Sequence, residues 1–160
     1  MFFPLAGVES GMHATIDSVR VAATHDGPAP VVLLAADDRA DVVPIFVGGE
    51  EALAIVRGMD AQDVGRPLTH DLLLDVMEEL GGRVEKVVVS RVEDQTYIAD
   101  LHLETPRGDT VVDARPSDCL ALAARTNAPI EMTDAVFESG RADPAEFAEF
   151  DDVREVTEYR

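Results

Sequence analysis

The 160-residue sequence predicts an α+β domain built from a duplicated β-β-β-α unit. Two observations carry that prediction. The order strand, strand, strand, helix occurs twice along the chain, and Glu51-Ala-Leu-Ala-Ile of the first copy aligns without a gap on Asp118-Cys-Leu-Ala-Leu of the second. Each unit alone is too thin to bury its own apolar faces, so the two must share one core, and a chain that is 46% hydrophobic is long enough to build it.

The first copy opens on ATIDSVRVAAT (14–24), where Ile16, Val19 and Val21 mark the apolar side of a strand. PVVLLAA (30–36) and DVVPIFVG (41–48) follow as a hairpin around the polar turn DDRA. EEALAIVRGM (50–59) then carries Ala52, Leu53, Ile55 and Val56 at helical spacing. In the second copy the strands are GRVEKVVVSR (82–91), TYIADLHLE (96–104) and DTVVDA (109–114), and the helix is SDCLALAART (117–126).

A further helix start follows each copy. After the first, Thr69 is the expected N-cap and Asp71 complements the dipole of a helix whose face is Leu72, Leu73, Val76, Met77 and Leu80, stopped at Gly81-Gly82. After the second, Ala128-Pro129-Ile130-Glu131-Met132 leads to Thr133 and Asp134, which cap a short AVFES segment ending near Gly140. Asp143-Pro144-Ala145-Glu146 reads as the opening of a peripheral helix with Phe147 and Phe150 turned inward. Residues 1–12 read as a poorly ordered extension, 13–138 as the domain, and 139–160 as an acidic C-terminal helix and tail whose last ten residues have little apolar surface to hold them.

Charge sets the partner classes. Asp plus Glu number 32 against 13 Lys plus Arg, a formal net charge of −19, and Lys86 is the only lysine. Such acidity is the signature of a protein kept soluble in concentrated salt, which points to a halophilic, archaeal-type cytoplasm. The basic residues are scattered and form no stripe with the eight aromatics (six Phe, two Tyr), so the footprint of a nucleic-acid groove is missing, although Arg57, Arg66, Arg115 and Arg125 near helix ends could converge. No apolar run reaches the roughly 20 residues of a membrane span, and MFFPLAGV lacks the basic start of a secretion signal. Cys119 is the single cysteine, which leaves no disulfide framework or cysteine metal cluster.

The stretch DARPSD (113–118) lies where a strand gives way to a helix. Ser117 as N-cap, Pro116 and Asp118 make an ordinary helix start, and an Asp113–Arg115 ion pair would pin the strand end. The same residues allow a phosphate site. Helix-start N–H groups bind anions, Arg115 is a bidentate ligand, and Asp113 could hold a metal or orient a water.

The runs RPLTHDLL, VDARPSDCLALAART-API and VPIFVG-EEALAI, in this chain, resemble the bifunctional nuclease domain family over roughly His13 to Val136. The resemblance implies antiparallel strands curled towards a barrel with helices packed outside, assembly into a homo-oligomer (dimer or trimer), and hydrolysis of RNA or DNA phosphodiester bonds. The catalytic candidates are then His70, Asp71, Asp113, Arg115 and Asp118. Arg66, Arg115 and Ser117 are candidates for holding substrate, and Asp113, Asp118 and Glu51 for a divalent metal, Mg²⁺ or Mn²⁺. A reading from another class stays open: a non-catalytic oligomeric module that binds a protein partner or a small anion. No HxxxH, DxD, GxSxG or glycine-rich phosphate loop points elsewhere. The sequence departs from its relatives at Gly49, at Cys119 and beyond about residue 138.

The acid excess generates the first test. Because salt screens self-repulsion, melting temperature should rise steadily between dilute and multimolar KCl. A flat or falling trend would refute the halophilic reading.

Overall fold

A computed structural model of the chain describes residues 11–159, so the expected N-terminal extension falls almost entirely outside it. The elements run β1 (Gly11–Thr24), β2 (Gly27–Ala36), β3 (Val42–Phe46), α1 (Gly49–Met59), α2 (Thr69–Glu79), β4 (Arg83–Glu93), β5 (Thr96–Thr105), β6 (Gly108–Ala114), α3 (Pro116–Thr126), β7 (Ile130–Thr133) and α4 (Asp134–Gly140), followed by three short 3₁₀ turns. The expected repeat is present: three strands and a helix, twice.

The strands form one sheet in the order β3-β2-β1-β7-β4-β5-β6. Every ladder is antiparallel except β4–β7. The fold is therefore α+β with a mostly antiparallel sheet, as the sequence suggests. Closure into a barrel is not found: the order ends at β3 and β6, and no ladder joins them among the described residues.

Strand β7 has no counterpart in the sequence reading, because four residues are too few to show periodicity. It occupies the seam between the repeats. Gly11 to Ala14 of β1 pair antiparallel with Thr133 to Ile130 on one side, and Val87 to Val89 of β4 pair parallel with Ile130 to Met132 on the other. Ile130 and Met132 are buried in the shared core.

The continuous apolar run of β2 is explained by burial on both faces. Val32 and Leu34 belong to the main core under the helices, whereas Val31 and Leu33 join Ala22 and Val42 in a smaller cluster covered by Phe147 and Phe150. The rings of Phe147 and Phe150 meet edge to face, their centroids 6.1 Å apart. The peripheral helix expected there is a single 3₁₀ turn, Pro144–Phe147, opened by the Asp143 carboxylate accepting from the N–H of Ala145.

Two helix starts differ from expectation. Thr69 is the first helical residue rather than the cap, and the N-cap is Leu68, whose N–H donates to Asp71 Oδ2 at 2.9 Å. Arg115 is the N-cap of α3, Pro116 occupies its first turn, and Ser117 is 7% exposed inside that turn. The expected Thr133 cap is found, accepting from the N–H of Val136.

Helices α1 and α3 cross closely at Gly58, where a β-carbon would lie 3.0 Å from that of Ala124. Ala52, Ile55 and Val56 of α1 and Cys119, Leu120 and Leu122 of α3 fill the interior beneath this crossing. By contrast α2 has no buried residue. No helix among the described residues is long and apolar enough to cross a membrane.

The C-terminal residues are tied down more firmly than their composition suggests. Val153 is fully buried, the N–H of Val21 donates to the Asp151 carbonyl at 2.9 Å, and Arg154 makes two 2.8 Å bonds to the Asp60 carboxylate. One well-placed valine and one guanidinium compensate for a scarcity of apolar residues. Deleting residues 152–160 should therefore lower the free energy of unfolding by at least about 1.5–3 kcal/mol, the value of burying one such side chain, read from the urea midpoint. An unchanged midpoint would contradict this packing.

Candidate functional site

The three long helices begin close together. Glu51 stands in the first turn of α1, His70 and Asp71 in that of α2, and Arg115 and Asp118 at the start of α3. The side chains of Glu51, His70, Arg115 and Asp118 make one network at the head of a cleft of ≈ 1330 Å³, whose far wall is formed by Tyr97, Asp100, Val111, Val112 and Asp113 of β5 and β6.

Asp118 is the hub. Its Oδ2 accepts from Arg115 Nε at 2.8 Å and its Oδ1 from Arg115 Nη2 at 3.1 Å, a bidentate pair. Oδ1 also lies 3.0 Å from His70 Nε2. Arg115 Nη1 donates onward to Glu51 Oε1 at 3.2 Å. The guanidinium beside Asp118 holds its carboxyl below the usual range, against the opposing effect of burial, with His70 adding to the lowering. Asp118 in turn raises Arg115.

Glu51 reaches this point because residue 48 is glycine: a β-carbon there would collide with the Glu51 carboxylate. Neither Gly48 nor Arg115 caps its helix with a side chain, so the first-turn N–H groups of α1 and α3 have no side-chain acceptor from their caps.

A second knot fixes the helices behind the cleft. Arg125, 9% exposed, donates at 2.8 Å to Asp71 Oδ1, to the Ala54 carbonyl of α1 and to the Ala121 carbonyl of its own helix. Asp71 is held below the usual carboxylate range, first by the Leu68 N–H and then by Arg125. Its role is to bind α2 to α3, which sets the position of His70 beside it.

His70 and Asp118, 48 positions apart in the sequence, thus meet, and Arg115 and Glu51 complete the network around them. The other expected site residues are distributed differently. Asp113 does not pair with Arg115; it is exposed on β6, directly opposite Asp100 of β5, and neither carboxylate has a partner among the described residues. Ser117 is buried and Arg66 lies in the exposed loop before α2, and neither lines the cleft. Arg57 does line it, without an ion-pair partner among the described residues, as does Arg91, paired with Glu93 at 2.9 Å.

Asp113, Asp118 and Glu51 do not fit the donor set of a divalent metal. Among the described residues no group of three or more His, Cys, Asp and Glu side chains is arranged to hold one, and the Arg115 guanidinium stands between Glu51 and Asp118. What the network can do is position a histidine and gather cationic N–H groups at one end of a cleft.

Asp100, Tyr97 and Arg91 escaped the sequence reading because they occur in strands whose alternation looks ordinary. The signal available was Asp100 falling in register with Asp113, a like-charge cross-strand pair that a sheet normally avoids. Tyr97 is half-buried, and burial pushes its hydroxyl up.

Residues 31–144 match the family described as the bifunctional nuclease domain. The chain belongs to this family. It is 36% identical over 107 residues to an uncharacterized protein of Mycobacterium tuberculosis, covering 67% of this chain and 63% of that protein. Proteins named Bifunctional nuclease 2 match at 28% identity in Arabidopsis thaliana and 26% in Oryza sativa, over 64% and 66% of this chain but 32% and 34% of their own length. The chain therefore matches less than two thirds of these relatives, and about a third of the plant nucleases.

The lowered Asp118 gives this bifunctional nuclease domain a defined acid response. A carboxyl depressed below its usual 3.8 stabilises the fold fully above about pH 4, and that contribution disappears as pH falls through the folded-state value. Asp118→Asn should remove part of the acid limb of stability, with a difference from wild type present at neutral pH and vanishing at strongly acid pH. Because the side chain is 34% exposed, the difference should not exceed about 1 kcal/mol. Identical pH dependence of the two urea midpoints would contradict the pairing.

Proposed function

We propose that this domain hydrolyses phosphodiester bonds of RNA, DNA or both, in the cleft where α1, α2 and α3 begin. The observation that carries the reading is the contact of His70, Asp118 and Arg115 at the head of that cleft. Hydrolysis needs a base for the attacking oxygen and cationic donors for the charge that develops on the phosphoryl group. When His70 donates from Nε2 to Asp118, its Nδ1 is left as the acceptor for a proton from water or a ribose hydroxyl. A guanidinium has five N–H donors. Three from Arg115 are engaged with Asp118 and Glu51, which leaves two for a phosphate oxygen. The uncapped starts of α1 and α3, and Arg57, add to the attraction for an anion.

Other features of the protein belong to the same reading. The acid excess is an adaptation to a salt-rich, archaeal-type cytoplasm, the working unit is residues 13–138 with flanking extensions, and the protein acts as a homo-oligomer. The name carried by the plant relatives supports the substrate class. The non-catalytic alternative, a module binding a protein partner or small anion, is favoured by one observation: two carboxylates already neutralise Arg115 in a chain of net charge −19.

Cleavage of single-stranded RNA and DNA oligonucleotides in molar KCl separates these readings. Wild type should cut at least one of them, and His70→Gln should lower the rate by about 10²–10⁴-fold, the span of a lost general base. Wild-type rates in His70→Gln would remove His70 from the mechanism. No cutting by wild type, with or without added Mn²⁺, would leave the binding module.

A further inference from the structure

The two helix starts that share the Arg115 guanidinium are built unlike each other. In the alignment that pairs Glu51 with Asp118, Gly48 corresponds to Arg115 and Gly49 to Pro116. α3 therefore opens on a proline, whose fixed φ pre-forms the first turn, and the arginine before it is tied twice to Asp118. α1 opens on two consecutive glycines, the residue type with most backbone freedom to lose, and its N-cap Gly48 makes no side-chain bond. Its own sequence does little to fix the backbone that carries Glu51. Yet Glu51 holds Arg115 by one bond of 3.2 Å.

A ring from the C-terminal residues supplies what the glycines lack. A β-carbon at residue 49 would lie 2.9 Å from Cε1 of Tyr159 and 3.3 Å from its Cδ1, so the missing side chain is what lets the ring seat on the helix start. The same segment grips the other end of α1, where Arg154 makes its two 2.8 Å bonds to Asp60, the C-cap residue. Beside these contacts Val153 is fully buried and Tyr159 packs against the main core. Residues 154–159 thus reach along a helix of about 16 Å and hold both its ends. They lie beyond residues 31–144, so the brace is an addition to the matched domain.

We propose that Tyr159 is a positioning residue for the cleft: with Arg115 as the phosphate ligand proposed above, the ring clamps the Gly48-Gly49 backbone and keeps Glu51 on Arg115 Nη1. Asp118 holds the Nε and Nη2 edge of the guanidinium and Glu51 its Nη1 corner, so the group is fixed from two sides. Its two remaining N–H donors then stand ready at one place. Without the ring the glycine pair samples more backbone conformations, Glu51 spends less time on Arg115, and an arriving phosphate must order the guanidinium itself. The loss falls on anion affinity. His70 is spared, because Asp118 and α2 hold it.

Calorimetric titration with inorganic phosphate in molar KCl tests this without any cleavage assay. Tyr159→Ala should weaken phosphate binding about 3–10-fold, the worth of roughly one hydrogen bond, at unchanged circular dichroism. Tyr159→Phe, which keeps the ring, should bind as wild type does. Adding Gly49→Ala to Tyr159→Ala should restore much of the loss, since the methyl occupies part of the vacated space and stiffens the helix start. The effect must also run through Glu51: in a Glu51→Ala background, Tyr159→Ala should change phosphate affinity by less than about twofold. An unchanged affinity in Tyr159→Ala, an equal loss with and without Glu51, or a wild type that binds no phosphate would overturn the positioning role. Oligonucleotide cleavage separates this outcome from that of the hydrolytic reading. A protein that binds phosphate in the expected pattern and cuts nothing refutes hydrolysis and keeps the brace, whereas cutting by wild type with phosphate affinity unmoved in Tyr159→Ala does the reverse.

Discussion

The two ladders of β7 hold the architecture together. Three strands and a helix cannot close a core, and each half of this chain would leave one strand edge and one helix face in water. By pairing with β1 on one side and β4 on the other, Ile130 to Thr133 turn two half-sheets into one. The parallel register with β4 also fixes where α3 must run, because the chain passes from β6 through α3 to reach the seam. That path sets α3 against α1 and brings three helix starts together. The candidate site depends on a four-residue strand that carries none of its chemistry.

Duplication produces equivalent positions, and the site arises where equivalence is broken. Glu51 and Asp118 correspond in the repeat, and one guanidinium serves both. In the alignment that pairs them, Arg115 and Arg125 of the second copy correspond to Gly48 and Gly58 of the first. Both glycines stand where a side chain would obstruct: at residue 48 the Glu51 carboxylate, at residue 58 the Arg125 guanidinium, 2.9 Å from the place of a β-carbon. Each arginine works because its counterpart has no side chain. A symmetric pair of arginines would crowd these positions and set like charges together.

Much of the fold was legible in the sequence because its strands and helices are long enough to show their period. The repeat, all six longer strands and the helices 50–59, 69–80 and 117–126 could be read from apolar spacing and turn residues. What could not be read was set by tertiary partners. β7 is strand because two edges await it, and the last residues are held because Val153 finds a cavity and Arg154 finds Asp60. At the site, the motif residues His70, Arg115 and Asp118 were visible, but their pairing was not. Local spacing suggested Asp113 as the partner of Arg115, whereas strand alternation turns Asp113 towards Asp100, and the helix geometry offers Asp118 three residues on. Side chains such as Asp100 and Tyr97 join the cleft only through cross-strand register, which a single sequence does not encode locally.

Cys119 lies directly beneath this network, fully enclosed, with its thiol pushed up to about 12 by burial first and by the carboxylates of Asp118, Asp100 and Asp113 after that. Thiol reagents attack the thiolate, and hardly any is formed here at neutral pH. Alkylation must therefore wait until the first turns of α3 lift off the sheet, which is the same opening that would dismantle the contacts of Asp118. The single cysteine is a natural clock for the integrity of the site: its labelling rate in native buffer reports how often the three helix starts come apart, with no probe added and no side chain of the network altered.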